Sequence, residues 1–150
     1  MPVVTPARAE RVVVLTLRML AVTFAVVGIL FIVTPNGVLG RIDDVGNWIG
    51  SFATAPRSDE KLWLGLAFAY MTVITGIALL VSTDVGRYRP FLLVLAAGKA
   101  ASSLAAGAFF VFGDNVFIYL LNFLVDGSLV LTVLGCWVVS APLEQAVAPT

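Results

Sequence analysis

Residues 90–112 read PFLLVLAAGKAASSLAAGAFFVF, and how this stretch is solvated decides the fold. It carries a single charged side chain, Lys99. A helix rises about 1.5 Å per residue and the hydrocarbon core of a bilayer is about 30 Å thick, so roughly 20 mostly apolar residues suffice to cross it. The stretch meets that length and predicts a membrane-spanning helix. The whole chain agrees: of 150 residues 60 % are hydrophobic and 12 % charged, with a mean hydropathy of +1.03. Soluble domains carry about 25 % charged residues, so this chain has too little polar surface to cover a water-facing globule.

Three more segments pass the same test: about 12–33, interrupted by Arg18, about 62–81, and about 116–139, which holds Asn122 and Asp126. None reads as a strand pair, because open strand edges find no hydrogen-bond partners in lipid. The punctuation fits. Pro35-Asn36-Gly37 ends the first span, Ser82 to Gly86 breaks the chain ahead of Pro90, and Gly113-Asp114-Asn115 is a turn short enough to force the last two spans side by side. The expected architecture is an all-α integral membrane domain covering residues 1–150, an up-down bundle of four transmembrane helices. No internal repeat is visible. Arg8 and Arg11 resemble the charged start of a signal peptide, but the apolar run after them is too long and no Ala-x-Ala site follows, so it reads as a true span. The tail before Arg8 and the last eleven residues, SAPLEQAVAPT, read as frayed.

Lys and Arg in short loops set orientation. Arg8, Arg11 and Arg18 with Arg87 and Arg89 lie on one side; Arg41, Arg57 and Lys61 lie on the other, in a longer connection that also holds Asp43, Asp44, Asp59 and Glu60. This favours a multi-pass protein of the cell (inner) membrane with both termini cytoplasmic, and with Trp63 and Trp137 near opposite interfaces. Within residues 34–61, Val38, Ile42, Val45, Ile49 and Phe52 recur at helical spacing. The connection therefore reads as an amphipathic, partly helical loop, shortened by Gly40, Gly46 and Gly50. It is an interfacial lid, a docking surface or a gate.

Lys99 lies about nine residues into its span, roughly 14 Å deep. Asp126 lies at nearly the same depth of the next. Counted from Asp114, the two differ in level by about 4.5 Å, which a lysine stem spans if both face the helix contact. Asn115, Tyr119, Asn122 and Asp126 form one polar stripe, and Lys99, Ser102, Ser103 and Ala106 share the facing one. Gly98, Ser102 and Ala106, and likewise Ala97, Ala101 and Ala105, form small-residue ladders that let helices approach closely in lipid. This places the third span at the centre of the bundle. A charge at the bilayer centre costs about 2.5–3.5 kcal/mol on insertion scales, so two at one depth point to mutual compensation. Three readings stand: a structural pair, a site for an ion, proton or polar ligand, and a contact with another subunit.

Other candidates are weaker. Arg18 snorkels to the headgroups, and Arg87 and Arg89 bind anionic lipid headgroups or anchor topology. Thr72 and Thr75 bond back to their own helix. Asp43-Asp44 lacks the further oxygen ligands of a calcium loop, and Cys136 reads as an apolar filler. Without histidine and with one cysteine, zinc sites, haem ligation by histidine and Ser-His-Asp catalysis lack their side chains. No metal and no cofactor is expected. Zero net charge without a basic tract argues against nucleic acid.

The expected partners are the lipid bilayer and other membrane subunits or a second copy. The function is expected to be non-enzymatic and to act by association, as accessory subunit or homo-oligomer. The alternative is a small ion- or proton-coupled transporter or channel using Lys99 and Asp126. An intramembrane enzyme or a quinone or lipid binder, built on the aromatics from Phe109 to Phe123, is the third class.

Overall fold

The computed structural model describes residues 6–143. These residues are all helical apart from their connections, with one isolated β-bridge, between Ala53 and Val116. Helix α1 spans Pro6–Val33, α2 Pro35–Ile49, α3 Lys61–Thr83, α4 Val85–Tyr88, α5 Phe91–Phe112 and α6 Phe117–Val139. Among the described residues four stretches are long and apolar enough to cross a membrane: Ala7–Val33, Lys61–Thr83, Phe91–Phe112 and Phe117–Leu143.

Helix α1 starts earlier than the apolar run, because Pro6 suits a first helical turn and Ala7 to Arg11 are good helix formers. Thr34 alone separates α1 from α2, so Pro35 both ends one helix and opens the next. Asp84 accepts a hydrogen bond from the Arg87 backbone N–H at 3.0 Å and caps α4. Residues 1–5 and 144–150, most of the two expected frayed tails, lie outside the described residues. Pro6 and Ala7 are helical, and the Ser140 N–H closes α6 on the Cys136 carbonyl at 3.0 Å.

The helices pack as two pairs, α1 on α3 and α5 on α6, joined by α3–α5 and α1–α6 contacts. The main cluster of buried apolar side chains fills one half of the molecule, while Ala106, Val116 and Phe117 are buried at the other end. It takes Val13, Leu17, Ala21 and Phe24 from α1, then Ile74, Ala78 and Val81 from α3, with Val85 beyond it. Helix α5 adds Leu92, Leu95 and Ala96, and α6 adds Val133 and Cys136. At the other end the two pairs diverge. There most of α3 from Lys61 to Ala69 is exposed. The outward faces carry large apolar side chains such as Met19, Leu62, Leu104 and Leu131, as expected for surface that meets acyl chains rather than water.

The third span is buried more than the second and fourth, but not on every small-residue face. Helix α5 turns Gly98, Ser102 and Ala106 toward the bundle, but Ala97, Ala101 and Ala105 are exposed. Its neighbours α6 and α3, with Phe24 of α1 at Lys99, cover only part of a helix circumference, so the second small-residue ladder stays outside.

Helix α2 and residues 50–60 cover the divergent end. Val38, Leu39 and Ile42 are half-buried and Gly46 is buried, whereas Val45 and Ile49 are exposed. The five-residue apolar face is thus split. The physical cause is Gly46: a Cβ there would lie 2.7 Å from the Phe117 Cβ, so only glycine lets α2 roll this far onto α6. Phe52, beyond the helix end, packs on the same Phe117 ring at 5.1 Å. The Asp43 carboxylate accepts from the Ala55 N–H at 3.0 and 3.2 Å. The Asn36 side chain accepts from the Ser58 N–H and donates to Asp59 Oδ1, both at 2.8 Å. These bonds satisfy backbone groups that irregular chain leaves open.

Candidate functional site: a buried ion pair at the floor of an apolar cleft

The site is built on the close contact of α5 and α6. Ser103 Oγ donates to the Phe123 carbonyl at 2.8 Å, and Asn122 Nδ2 donates to Ser102 Oγ at 3.3 Å. The Phe109 and Tyr119 rings lie 5.7 Å apart. Partner numbers fall along α6 as they rise along α5, as the short Gly113–Asn115 turn requires. Gly107 makes the contact tight: a Cβ there would meet the Phe123 ring at 2.8 Å.

In this register Lys99 Nζ stands 2.9 Å from Asp126 Oδ1, with side chains 5 % and 6 % exposed. That is a charge-assisted hydrogen bond in a setting of low dielectric. The ammonium also lies 4.8 Å from the centre of the Phe24 ring and 5.5 Å from that of Tyr70, within cation–π range. Each of the four long helices thus gives one residue to a single layer: Phe24, Tyr70, Lys99 and Asp126. The packed core consists of residues before Phe24, after Tyr70, before Lys99 and after Asp126. The layer is therefore where the apolar core shared by all four long helices ends, while α5 and α6 stay closely packed beyond it.

Beyond it lies a cavity of about 260 Å³ whose floor includes Lys99 and Asp126. Its walls are apolar, with Val27 and Phe31 from α1 and Phe68 and Met71 from α3, and Ser102 and Asn122 add polar groups. A second cavity of about 360 Å³ shares Phe31, Ser102 and Asn122, and continues the cleft along α5 and α6. A third, of about 430 Å³, shares Ile32 and Leu64 and ends on the polar groups of Asn36, Ser58, Asp59 and Lys61. The cleft therefore runs from the ion pair to the loop segment over the divergent end.

The structure gathers Lys99, Asp126, Asn122, Ser102, Ser103 and Tyr119 along one helix contact. Arg87 and Arg89 lie elsewhere and differ from each other. Arg87 is exposed, its guanidinium 5.4 Å from the Tyr88 ring. Arg89 is 8 % exposed: its Nε donates to the Trp137 carbonyl at 3.0 Å and its guanidinium stacks 4.3 Å over the Trp137 ring. Arg18 is exposed, Cys136 is a buried core residue, and Thr72 and Thr75 bond back to the Phe68 and Met71 carbonyls. Sequence reasoning passed over Phe24 and Tyr70, although both lie near mid-span, the level at which an aromatic ring meets a buried ammonium.

The class that fold and site define is that of small all-helical proteins with four helices able to span a membrane, holding a compensated charge pair between two of them. Comparison of the chain with models of known families, with curated proteins and with solved structures gives no match.

Proposed function

We propose that the protein is a non-enzymatic, multi-pass component of the cell (inner) membrane that works by association, as a homo-oligomer or as accessory subunit of a larger membrane complex. One observation carries this: Ala97, Ala101 and Ala105 form an outward, exposed ladder on α5, the surface on which a further helix packs closely in lipid. The ion pair supports the reading from the other side. Lys99 and Asp126 compensate each other within the chain, so a partner is free to dock by packing alone. The burial order of the four long helices supports an up-down bundle, and the arginines at the packed end support cytoplasmic termini. Helix α2 fits an interfacial lid, with Val45, Trp48 and Ile49 turned outward.

The test is the native mass in mild detergent with lipid retained. A particle of two or more chains, or one with a copurifying membrane subunit, is expected, and Ala101→Leu should dissociate it. A strictly monomeric parent with no companion overturns the proposal.

The cleft favours a second reading, a small ion- or proton-coupled transporter. Its weakness is the floor: Leu17, Ala78, Leu92, Leu95 and Val133 are each 0 % exposed and close the way past the pair. Transport needs that half to open. A liposome flux assay comparing the parent with Lys99→Met and Asp126→Asn decides it, and absence of flux in the parent removes it.

A further inference from the structure

We infer that the cleft above Lys99 and Asp126 is a binding site for a small, neutral, mostly apolar molecule bearing a carbonyl oxygen, taken up from the membrane. This goes beyond association, and because the main cavity takes no lining from Ala97, Ala101 or Ala105 it holds whether the chain is a monomer or an oligomer. The walls set the body of the ligand. The cavity is lined by Phe24, Val27, Phe31, Phe68 and Met71, which favour rings or chains over polar solutes. At about 260 Å³ it lies just under the usual range of roughly 300–1,000 Å³ for ligand pockets, and the adjoining space along α5 and α6 extends it.

The floor sets the polar group. Tyr70 borders the cavity, yet its hydroxyl is buried and has no hydrogen-bond partner among the described residues. An unsatisfied buried hydroxyl is unfavourable, and a ligand acceptor relieves it. The hydroxyl lies over Gly98: a Cβ there would be 3.4 Å from it. The oxygen lies on the axis of ring rotation, so a swing of the whole Tyr70 side chain about its Cα–Cβ bond, off Gly98, is what would carry the O–H to a ligand carbonyl at the floor, beside the Lys99 ammonium 5.5 Å from the same ring. Ser102, also in the wall, accepts from Asn122 and keeps its own proton to donate. The Tyr70 and Ser102 hydroxyls are thus donors that a ligand acceptor fits, beside the acceptors that Asn122 and Asp126 already provide.

Charge excludes an anion. Lys99 and Asp126 sum to zero, and a carboxylate would place an uncompensated negative charge beside Asp126 in an apolar enclosure, which is strongly unfavourable. A ketone-type oxygen satisfies the donors without that cost.

Benzophenone is the probe, as a neutral aromatic ketone that labels nearby C–H bonds on irradiation. The full chain in lipid nanodiscs is labelled, the sites are mapped by mass spectrometry, and unlabelled competitors are titrated. Label is expected on cleft residues such as Val27, Phe68 and Met71. Diphenylmethane, which lacks the carbonyl, and 4-benzoylbenzoate, which adds a carboxylate, should each compete more weakly than benzophenone. Tyr70→Phe removes only a hydroxyl without a partner, so it should leave the thermal midpoint unchanged or raised while weakening benzophenone binding roughly three- to tenfold, the value of one hydrogen bond. Label confined to the outer face around Leu104 and Phe112, equal competition by diphenylmethane, or parent-like affinity in Tyr70→Phe each overturns the inference. A strictly monomeric particle would overturn the association reading and leave this one standing.

Discussion

Lys99 and Asp126 meet at 2.9 Å in the one layer where the packed half of the molecule gives way to the cleft. Their charges are balanced in place, and that balance sets what each substitution does. Lys99→Met leaves a carboxylate without its partner, and Asp126→Leu leaves an ammonium. Each should destabilise by about 3–5 kcal/mol, the usual cost of breaking a buried pair. The double variant Lys99→Met/Asp126→Leu removes both charges and should recover most of the loss. Thermal unfolding in detergent checks this; a double variant no more stable than the worse single would show that the pair is not the coupled unit described.

Arg87 and Arg89 should separate in the same assay. Arg89 stacks on Trp137 and bonds to its carbonyl, tying the start of α5 to the end of α6. Arg89→Lys keeps the charge but loses the planar stack, and should cost about 1–2 kcal/mol with a shift in Trp137 emission. Arg87→Ala, at an exposed position, should stay within about 0.5 kcal/mol of the parent. Equal effects from the two would contradict the burial difference.

How far the sequence reveals this arrangement depends on what constrains each part. The four spans are legible because lipid demands both length and apolarity. The nearness of Lys99 and Asp126 is legible because a turn of a few residues fixes the α5–α6 register, leaving only a count of levels. No such constraint ties Phe24 to Lys99: between α1 and α5 lie a long connection and another helix, so the ring over the ammonium follows from tertiary packing alone. Arg89 and Trp137 are 48 residues apart, and their contact depends on how the packed end closes. Which way each ladder on α5 faces is not legible either, for a related reason. Small residues show that close approach is permitted, not which neighbour takes it.

The roll of α2 is equally a tertiary matter, and it is testable at Gly46. A Cβ at that position falls 2.7 Å from the Phe117 Cβ, so Gly46→Ala should cost about 1–3 kcal/mol through overpacking. Adding Phe117→Ala makes room, so the two changes should couple favourably in a double-mutant cycle. Strictly additive effects would mean that α2 does not rest on Phe117.

Asp43 looks like an ordinary solvated acid in the sequence, yet its carboxylate holds the Ala55 N–H. Asp43→Leu removes the acceptor and leaves the chain without any fixed partner at that point. Segment 50–60 should then exchange its amide hydrogens faster, with opening easier by about 1 kcal/mol or somewhat more, the range for a bond to a charged group. The transmembrane helices should exchange as before. Unchanged protection at Ala55 would dismiss the latch.

Helix α2 turns Trp48, 87 % exposed, away from the protein together with Val45 and Ile49. Three large apolar side chains on one outward face are unfavourable in water, whereas the headgroup boundary accepts them and favours tryptophan in particular. Trp48 should therefore lie at the membrane interface. A variant with Trp63→Phe and Trp137→Phe leaves Trp48 as the sole tryptophan emitter. Its emission should be quenched by lipids brominated near the headgroup more than by lipids brominated near the chain ends, and only weakly by aqueous iodide. Strong iodide quenching with no lipid effect would place α2 in water, and the outward trio would then need a protein partner instead of lipid to cover it.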